Sequence, residues 1–230
     1  MLYMAEMTEM QLQSRVEDTV DYRMICNNAP IFYHFAKRSL DIAATLLGLT
    51  LLSPVFLLVA LAVKLDTKGP VFFGQNRLGH KGRHFKMYKC RSMVVNAEQL
   101  LKQLEDQNEV SGHMFKMKND PRITRVGKLI RKTSIDELPQ LFNVLRGDMS
   151  LVGPRPPLPR EVVEYDKWQD LRLSVRPGIT GLWQVSGRND IGFDEMINLD
   201  LKYIRERSFL YDLKIILKTI PVLLGDSKAF

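Results

Sequence analysis

Asp136 and Glu137 stand side by side in the stretch Arg131-Lys132-Thr133-Ser134-Ile135-Asp136-Glu137-Leu138-Pro139-Gln140. Neighbouring residues on a helix point about 100° apart, so the two carboxylates cannot face one substrate atom in the same way. That makes them poor candidates for a proton-sharing dyad and suits a division of labour. One carboxylate can attack phosphorus, as aspartates do in enzymes that form aspartyl-phosphates. The other can hold Mg²⁺, a hard cation that takes carboxylate and phosphate oxygens. Acidic residues at a helix start are common on their own account, and the surrounding cations add the weight. Lys89, Arg91, Arg131, Arg155 and Arg188 fall in strand or turn contexts, not in solvated helix stripes. Arg155 sits in the stiff loop Val152-Gly153-Pro154-Arg155-Pro156, Arg188 in Ser186-Gly187-Arg188, and Arg176-Pro177-Gly178-Ile179-Thr180-Gly181 is a similar rigid turn. Guanidinium groups bind phosphate bidentately and stabilise charge in phosphoryl transfer.

The elements that must carry these residues are short. A helix is expected from about Asp136 to Leu145, with Gly147 just past its end. Ser134 with Glu137 fits a capping box; with Asp136 as N-cap instead, Pro139 falls in the first turn, where its missing N–H does no harm. Either version puts the carboxylates at a helix N-terminus, whose free N–H groups and dipole favour phosphate. Strands are expected at Val71 to Gln75 and Phe85 to Arg91, the second placing Phe85, Met87, Lys89 and Arg91 on one face. Further helices are expected at Val94 to Glu109, Glu161 to Val175, Asp194 to Ile204 and Phe209 to Leu224. The last carries an apolar stripe that suits the core or a membrane interface. His80 and His84 are four apart but bracketed by Gly79 and Gly82, which argues against a helical metal site.

Upstream, Ile42 to Val63 is an uncharged apolar run of roughly 22 residues, long enough to span a bilayer. Ser53-Pro54 divides it. Pro54 cannot donate to the carbonyl of Thr50, and the Ser53 hydroxyl can take that carbonyl instead. Lys37 and Arg38 precede the run, and Lys64 and Lys68 follow it. Basic residues mark the cytoplasmic side of a membrane segment, so both ends read as cytoplasmic. A re-entrant helix-break-helix and a single spanning anchor both fit these signals, and the family resemblance given below favours the first. Asp41 lies at helical spacing from Lys37 and Arg38 and is expected to pair with one of them.

The chain has 230 residues and a formal net charge of +7, which suits polyanionic partners such as anionic lipid or phosphorylated substrates. No nucleic-acid-binding module is recognisable, and no nucleic-acid partner is expected. Cys26 and Cys90 form no C-x-x-C pair and read as reduced thiols. No Ser-His-Asp arrangement, P-loop or G-x-G-x-x-G is present. The chain divides into an N-terminal extension over 1–30, a membrane helix region over 31–68 and a catalytic domain over 69–230.

The stretches Lys89-Cys90-Arg91-Ser92-Met93, Thr133 to Gln140, Gly147-Asp148-Met149-Ser150-Leu151-Val152-Gly153-Pro154-Arg155-Pro156 and Arg176 to Gly181 resemble the bacterial sugar transferase family, the monotopic phosphoglycosyl transferases. The resemblance covers about Ala36 to Leu224, with the motifs in the same order. It implies an α+β, mostly helical fold: a re-entrant helix broken at Ser53-Pro54, interfacial amphipathic helices, a small β element, and a catalytic domain on the cytoplasmic face of the bacterial inner membrane. The chemistry it implies is ping-pong. The residue matching Asp136 attacks the sugar-bearing phosphate of a UDP-sugar and expels UMP; polyprenol (undecaprenyl) phosphate then takes the phosphosugar, starting a surface glycan. Glu137 matches a Mg²⁺ ligand, and Lys89, Arg131, Arg155 and Arg188 match phosphate-contacting residues. Membrane lipids are the remaining expected partner, and a homo-oligomer is compatible with the sequence. Neither the sugar nor the pathway is encoded in the spacing. The competing class is a non-enzymatic membrane adaptor whose basic loops bind anionic lipid or an acidic partner.

Overall fold

The computed structural model describes residues 29–104, 117, 119–187 and 191–223. The expected N-terminal extension, apart from Ala29 and Pro30, lies outside the described residues, as does Arg188.

Helix α1 (Ile31–Asp66) carries the apolar run and is 36 residues long, about 54 Å at 1.5 Å per residue. It is the one helix among the described residues that is long and apolar enough to cross a membrane. Pro54 lies inside it, and the backbone stays helical through Ser53 and Pro54, where the sequence suggests a break. The reason is local. Ser53 Oγ donates to Thr50 O at 2.9 Å, the carbonyl that Pro54 leaves without a donor, and Thr50 Oγ1 donates to Leu46 O.

One stripe of α1 is buried, at Tyr33, Asp41, Thr45, Val59 and Val63, while Phe32, Phe35, Leu47, Leu51, Leu58 and Leu65 are exposed. Both ends are held by the same body. Near its start, Lys37 Nζ donates to Val152 O and Asp212 Oδ2, each at 2.9 Å, and Arg38 donates to Val144 O and Leu145 O. Asp41 pairs with neither cation: it accepts from Ser150 Oγ and Leu151 N, each at 3.0 Å. Near its finish, Val59 and Val63 pack on Cys90 and Ile130, and Asp66 Oδ2 accepts from Val126 N.

Strands β1 (Phe72–Leu78) and β2 (His84–Cys90) form an antiparallel hairpin in which Phe73 faces Lys89, Gln75 faces Met87 and Arg77 faces Phe85. The open edge of β2 is closed by a side chain: Asn143 Oδ1 accepts from Tyr88 N, and Asn143 Nδ2 donates to Lys86 O. Helices α2 (Ala97–Leu104) and α3 (Arg125–Lys132) follow, then α4 (Gln140–Arg146), which ends at Gly147 with φ +87 as its glycine signal suggests.

Two three-residue strands replace what read as rigid loops. β3 (Ser150–Val152) pairs in parallel with β4 (Gly178–Thr180). A Cβ on Gly178 would lie 2.1 Å from Gly153 N, so the two glycine-bearing motifs are fitted backbone to backbone. The single helix expected over Glu161 to Val175 is three pieces: α5 (Pro159–Val163), α6 (Lys167–Asp170) and a 3-10 turn over Leu171–Ser174. The cause is the Asp166 cap, which accepts from Gln169 N and restarts the helix. Helix α7 (Leu182–Ser186) precedes α8 (Phe193–Glu206), whose Met196, Ile197, Leu201, Tyr203 and Ile204 form the main core with Val152 and with Ile215 of α9 (Phe209–Leu223).

Candidate active site

The carboxylates do not open an α-helix. They lie on a 3-10 turn, Ile135–Glu137, between α3 and α4. Pro139 has no N–H to give Ile135, so the chain tightens to three-residue bonds: Leu138 N to Ile135 O, Leu141 N to Leu138 O, Phe142 N to Pro139 O. Neither expected cap forms, because Ser134 makes no side-chain cap bond and takes a left-handed φ of +53. Such a backbone is costly for a residue with a Cβ and is found where the surroundings force it. Here it turns the chain sharply from the end of α3, so that Ile135 packs into the cluster of Val59, Val63, Cys90 and Ile130. The turn that carries the two carboxylates therefore rests directly on α1.

Asp136 is 6% exposed. Burial pushes its carboxyl up to about 6; the charges of Lys89 and Arg131 pull it down, and Glu137 pushes it up. A buried carboxylate whose titration is raised towards neutrality, with the charges of Lys89 and Arg131 acting on it, is a candidate functional group. Glu137 points elsewhere, as the helical geometry requires: its Oε1 accepts from Lys89 Nζ at 2.7 Å, and both side chains stay partly exposed. The antiparallel hairpin delivers Lys89, and the turn delivers the acids. Burial, with the Asp136 charge added, also pushes the Cys90 thiol up to about 11, which makes it an inert packing residue.

Arg131, in the last turn of α3, joins this group. Its charge acts on Asp136, yet its Nη1 is buried without a hydrogen bond to any described residue. Arg155 is similar: its Nη1 lies 3.5 Å from Glu161 Oε2 and makes no hydrogen bond. The loop that carries Arg155 is fixed carbonyl by carbonyl. Val152 O accepts from Lys37 and Tyr203, Pro154 O from Gly178 N, Arg155 O from Arg172, Pro156 O from Arg77, and Pro157 O from Leu78 N.

Two positioning residues here escape the sequence reading. Arg77, whose neighbour Gln75 accepts from its Nε and Nη2, is buried and feels the charges of Arg155 and Glu137. Arg172 is fully buried and bonds Tyr165 and Asp200. An arginine just past the strand expected over Val71 to Gln75, and one in a helix expected to be continuous, give no local signal of this kind.

Arg91 belongs elsewhere. Its guanidinium donates to Pro70 O, Lys68 O, Thr67 O and Val63 O. It closes the C-terminal end of α1, where the last carbonyls of a helix lack partners, and the structure does not bring it to the carboxylates as a free donor. No group of three or more His, Cys, Asp or Glu side chains is assembled among the described residues. Mg²⁺ does not demand one, since it is commonly held by one or two carboxylates plus substrate phosphates. The hard oxygens of Asp136 and Glu137 fit that donor set.

The family model described as bacterial sugar transferase matches residues 32–226. Over 216 residues, the chain is 49% identical to the galactosyl transferase CpsE of Streptococcus agalactiae, covering 92% of this chain and 48% of that protein. It is 44% identical to the exopolysaccharide production protein ExoY of Sinorhizobium fredii, covering 81% and 84%. It is 45% identical to the undecaprenyl-phosphate galactose phosphotransferase of Salmonella typhimurium, covering 85% and 42%. The chain thus spans less than half the length of CpsE and of the Salmonella protein, and most of ExoY. With the motifs, the turn of carboxylates and the matched span in agreement, this chain belongs to the bacterial sugar transferase family.

Proposed function

We propose that the chain is a phosphoglycosyl transferase that moves a sugar-1-phosphate from a UDP-sugar to polyprenol (undecaprenyl) phosphate, with release of UMP. The observation that supports this most is Asp136: buried, poised near neutral pH, and set beside the Lys89–Glu137 pair and the unmatched Nη1 of Arg131. A structural carboxylate would have its partners fully paired; this one adjoins donors that await an anion.

In the first half-reaction a carboxylate oxygen of Asp136 attacks the sugar-bearing phosphorus. The bond to the UMP oxygen breaks and UMP leaves with that electron pair. In the second half, a phosphate oxygen of the polyprenol phosphate attacks the same phosphorus, the bond to Asp136 breaks, and the carboxylate returns. Lys89, Arg131 and Arg155 bind and orient the phosphates, and their charges favour the ionised Asp136 and the charge that spreads over the transferring group. Arg77 and Arg172 hold the Arg155 loop. Mg²⁺ held by Glu137, with Asp136 beside it, would neutralise charge on the diphosphate. Arg188, in the Ser186-Gly187-Arg188 motif, would be a further phosphate contact.

The reaction belongs at a bilayer, with α1 turning back by a proline bend at Ser53-Pro54 within its continuous helix, not by a break, and with the catalytic body on the cytoplasmic face. Both ends of α1 bind one body, which a straight crossing would separate by the full membrane. Cysteines placed near Tyr33 and near Thr67 are expected to label from the same face; labelling from opposite faces would replace this topology with a spanning anchor.

The activity test is UMP release from a panel of UDP-sugars, dependent on polyprenol phosphate and Mg²⁺, with donor-treated protein searched by mass spectrometry for a phosphosugar on the peptide containing Asp136. Competent enzyme that never carries the adduct would remove the covalent step. Lipid binding with no UMP release from any donor would favour the adaptor reading.

A further inference from the structure

Successive residues from Arg155 to Leu158 have their main chain pinned. Arg172 Nη2 donates to Arg155 O at 3.2 Å, Arg77 Nη1 to Pro156 O at 2.9 Å and Leu78 N to Pro157 O at 3.0 Å. Leu158 N donates to Glu161 Oε2 at 2.8 Å, which satisfies a free N–H at the start of α5. What stays adjustable in Arg155 is its side chain, which is 25% exposed. Among the described residues, the carboxylate at ion-pair distance from it is Glu161, whose Oε2 lies 3.5 Å from Arg155 Nη1.

Glu161 is a fixed point. Its side chain is 1% exposed, its Oε2 is tied to Leu158 N, and the next residue, Val162, is buried with Leu78, Tyr165 and Leu173. The arginines that meet this loop spend their donors differently. Arg77 gives Nε and Nη2 to Gln75 Oε1 and Nη1 to Pro156 O. Arg172 is hydrogen-bonded to a carboxylate of its own, Asp200. Arg155 faces Glu161 without a hydrogen bond from Nη1. An ion pair of that kind steers a guanidinium without saturating its fork of donors, and a buried carboxylate resists losing its counter-charge.

We infer that Glu161 is a positioning residue for the proposed reaction: it tethers the Arg155 guanidinium from behind, so that the other N–H donors stay aimed at a substrate phosphate. The inference rests on the phosphate-binding role proposed for Arg155. An untethered arginine follows a bound phosphate wherever it lies. A tethered one holds a single geometry, and so favours the transition state over bound substrate. The same carboxylate weakens the pull of the site on a ground-state anion.

Glu161→Gln separates these effects, because glutamine at this position still accepts from Leu158 N but carries no charge. Turnover of UDP-sugar should show kcat lowered by roughly tenfold together with a lower KM. Pyrophosphate, titrated by calorimetry without Mg²⁺, should bind roughly three- to tenfold tighter. A helix cap alone would move neither, and unchanged kcat and pyrophosphate affinity in this variant would overturn the assignment. Glu161 also acts on Arg77, so the coupling is measured against Arg155. In an Arg155→Gln background, Glu161→Gln should cost no further kcat; a second loss of the same size there would give the role to another partner and overturn it. Thermal unfolding supplies a readout that does not need the single Glu161→Gln protein. Arg155→Gln, which strips the buried carboxylate of its counter-charge, should unfold at lower temperature, and adding Glu161→Gln should recover most of that shift. No recovery, or a wild type that binds no pyrophosphate, would overturn the pair. Pyrophosphate affinity and unfolding need no turnover, so a chain that shows both effects and releases no UMP from any donor keeps the pair and loses the reaction.

Discussion

Arg91 and Arg131 flank the same packed cluster and use one chemical group in opposite ways. Arg91 gives its guanidinium to four backbone carbonyls around the end of α1; Arg38 does likewise with two at the end of α4. Arg131 instead keeps a buried Nη1 with no hydrogen bond to a described group, and the Nη1 of Arg155 has only the Glu161 carboxylate, at 3.5 Å. Leaving a buried donor unmet costs about 1–3 kcal/mol, so the first pair stabilises the fold and the second holds unmet potential for an anion. Residue type and charge are the same; between Arg91 and Arg131 the difference is whether described groups saturate the donors, a contrast that does not extend to Arg172, whose Nε is also unmatched.

The comparison can be broken by substitution. Asp136→Asn, the largest effect, should lower turnover by more than about a thousandfold and yet raise stability at neutral pH. The sign follows from linkage. The folded carboxyl titrates at about 6 against an ordinary 3.8, so the folded state binds more protons between those values, and stability falls as pH rises through that window. Asparagine removes a penalty of roughly 1–3 kcal/mol, measurable by thermal unfolding at pH 7 against pH 4; a destabilised, active variant would refute both halves.

Next, Arg91→Met should lose about 2–4 kcal/mol of stability, since four carbonyls lose a charged donor. Arg131→Met should lose on the order of a hundredfold in kcat/KM with unfolding little changed or improved. If the two variants exchange these phenotypes, saturation is the wrong criterion. For the wild type, kcat/KM should fall about tenfold per pH unit below pH 6 as Asp136 takes its proton; a flat profile through pH 5 would remove Asp136 as the ionising nucleophile. Smallest, Ser134→Gly should stabilise the turn by up to about 1 kcal/mol, because glycine tolerates a φ of +53, whereas Ser134→Val should destabilise it.

Much of this site was legible in the chain. The carboxylate pair, its cations and the apolar helix are local signals, and Ser53 takes the carbonyl that Pro54 abandons as the pairing suggests. Gly147 stops α4 as a left-handed residue. Other features were hidden because they depend on distant partners. The pairing of β3 with β4 joins two three-residue segments 28 positions apart, too short for any periodicity to register. The turn at Ile135–Glu137 reads as a helix start until the left-handed Ser134 is known. The Lys37–Asp212 pair spans 175 positions, so the sequence offers Asp41 as the nearer and wrong partner.

The contact between Ile135 and the membrane helix carries a kinetic meaning. Val59 and Val63 lie beneath Ile135 and Asp136 is next in the chain, so on the proposed reading the attacking carboxylate would sit one side chain above the hydrocarbon. On the bilayer placement proposed here, a lipid acceptor reaches it by sliding sideways in its own leaflet, and the lipid product departs the same way. Rates should then track the acceptor's mole fraction in the membrane rather than its amount per volume, and diluting the vesicles at fixed lipid ratio should leave them unchanged.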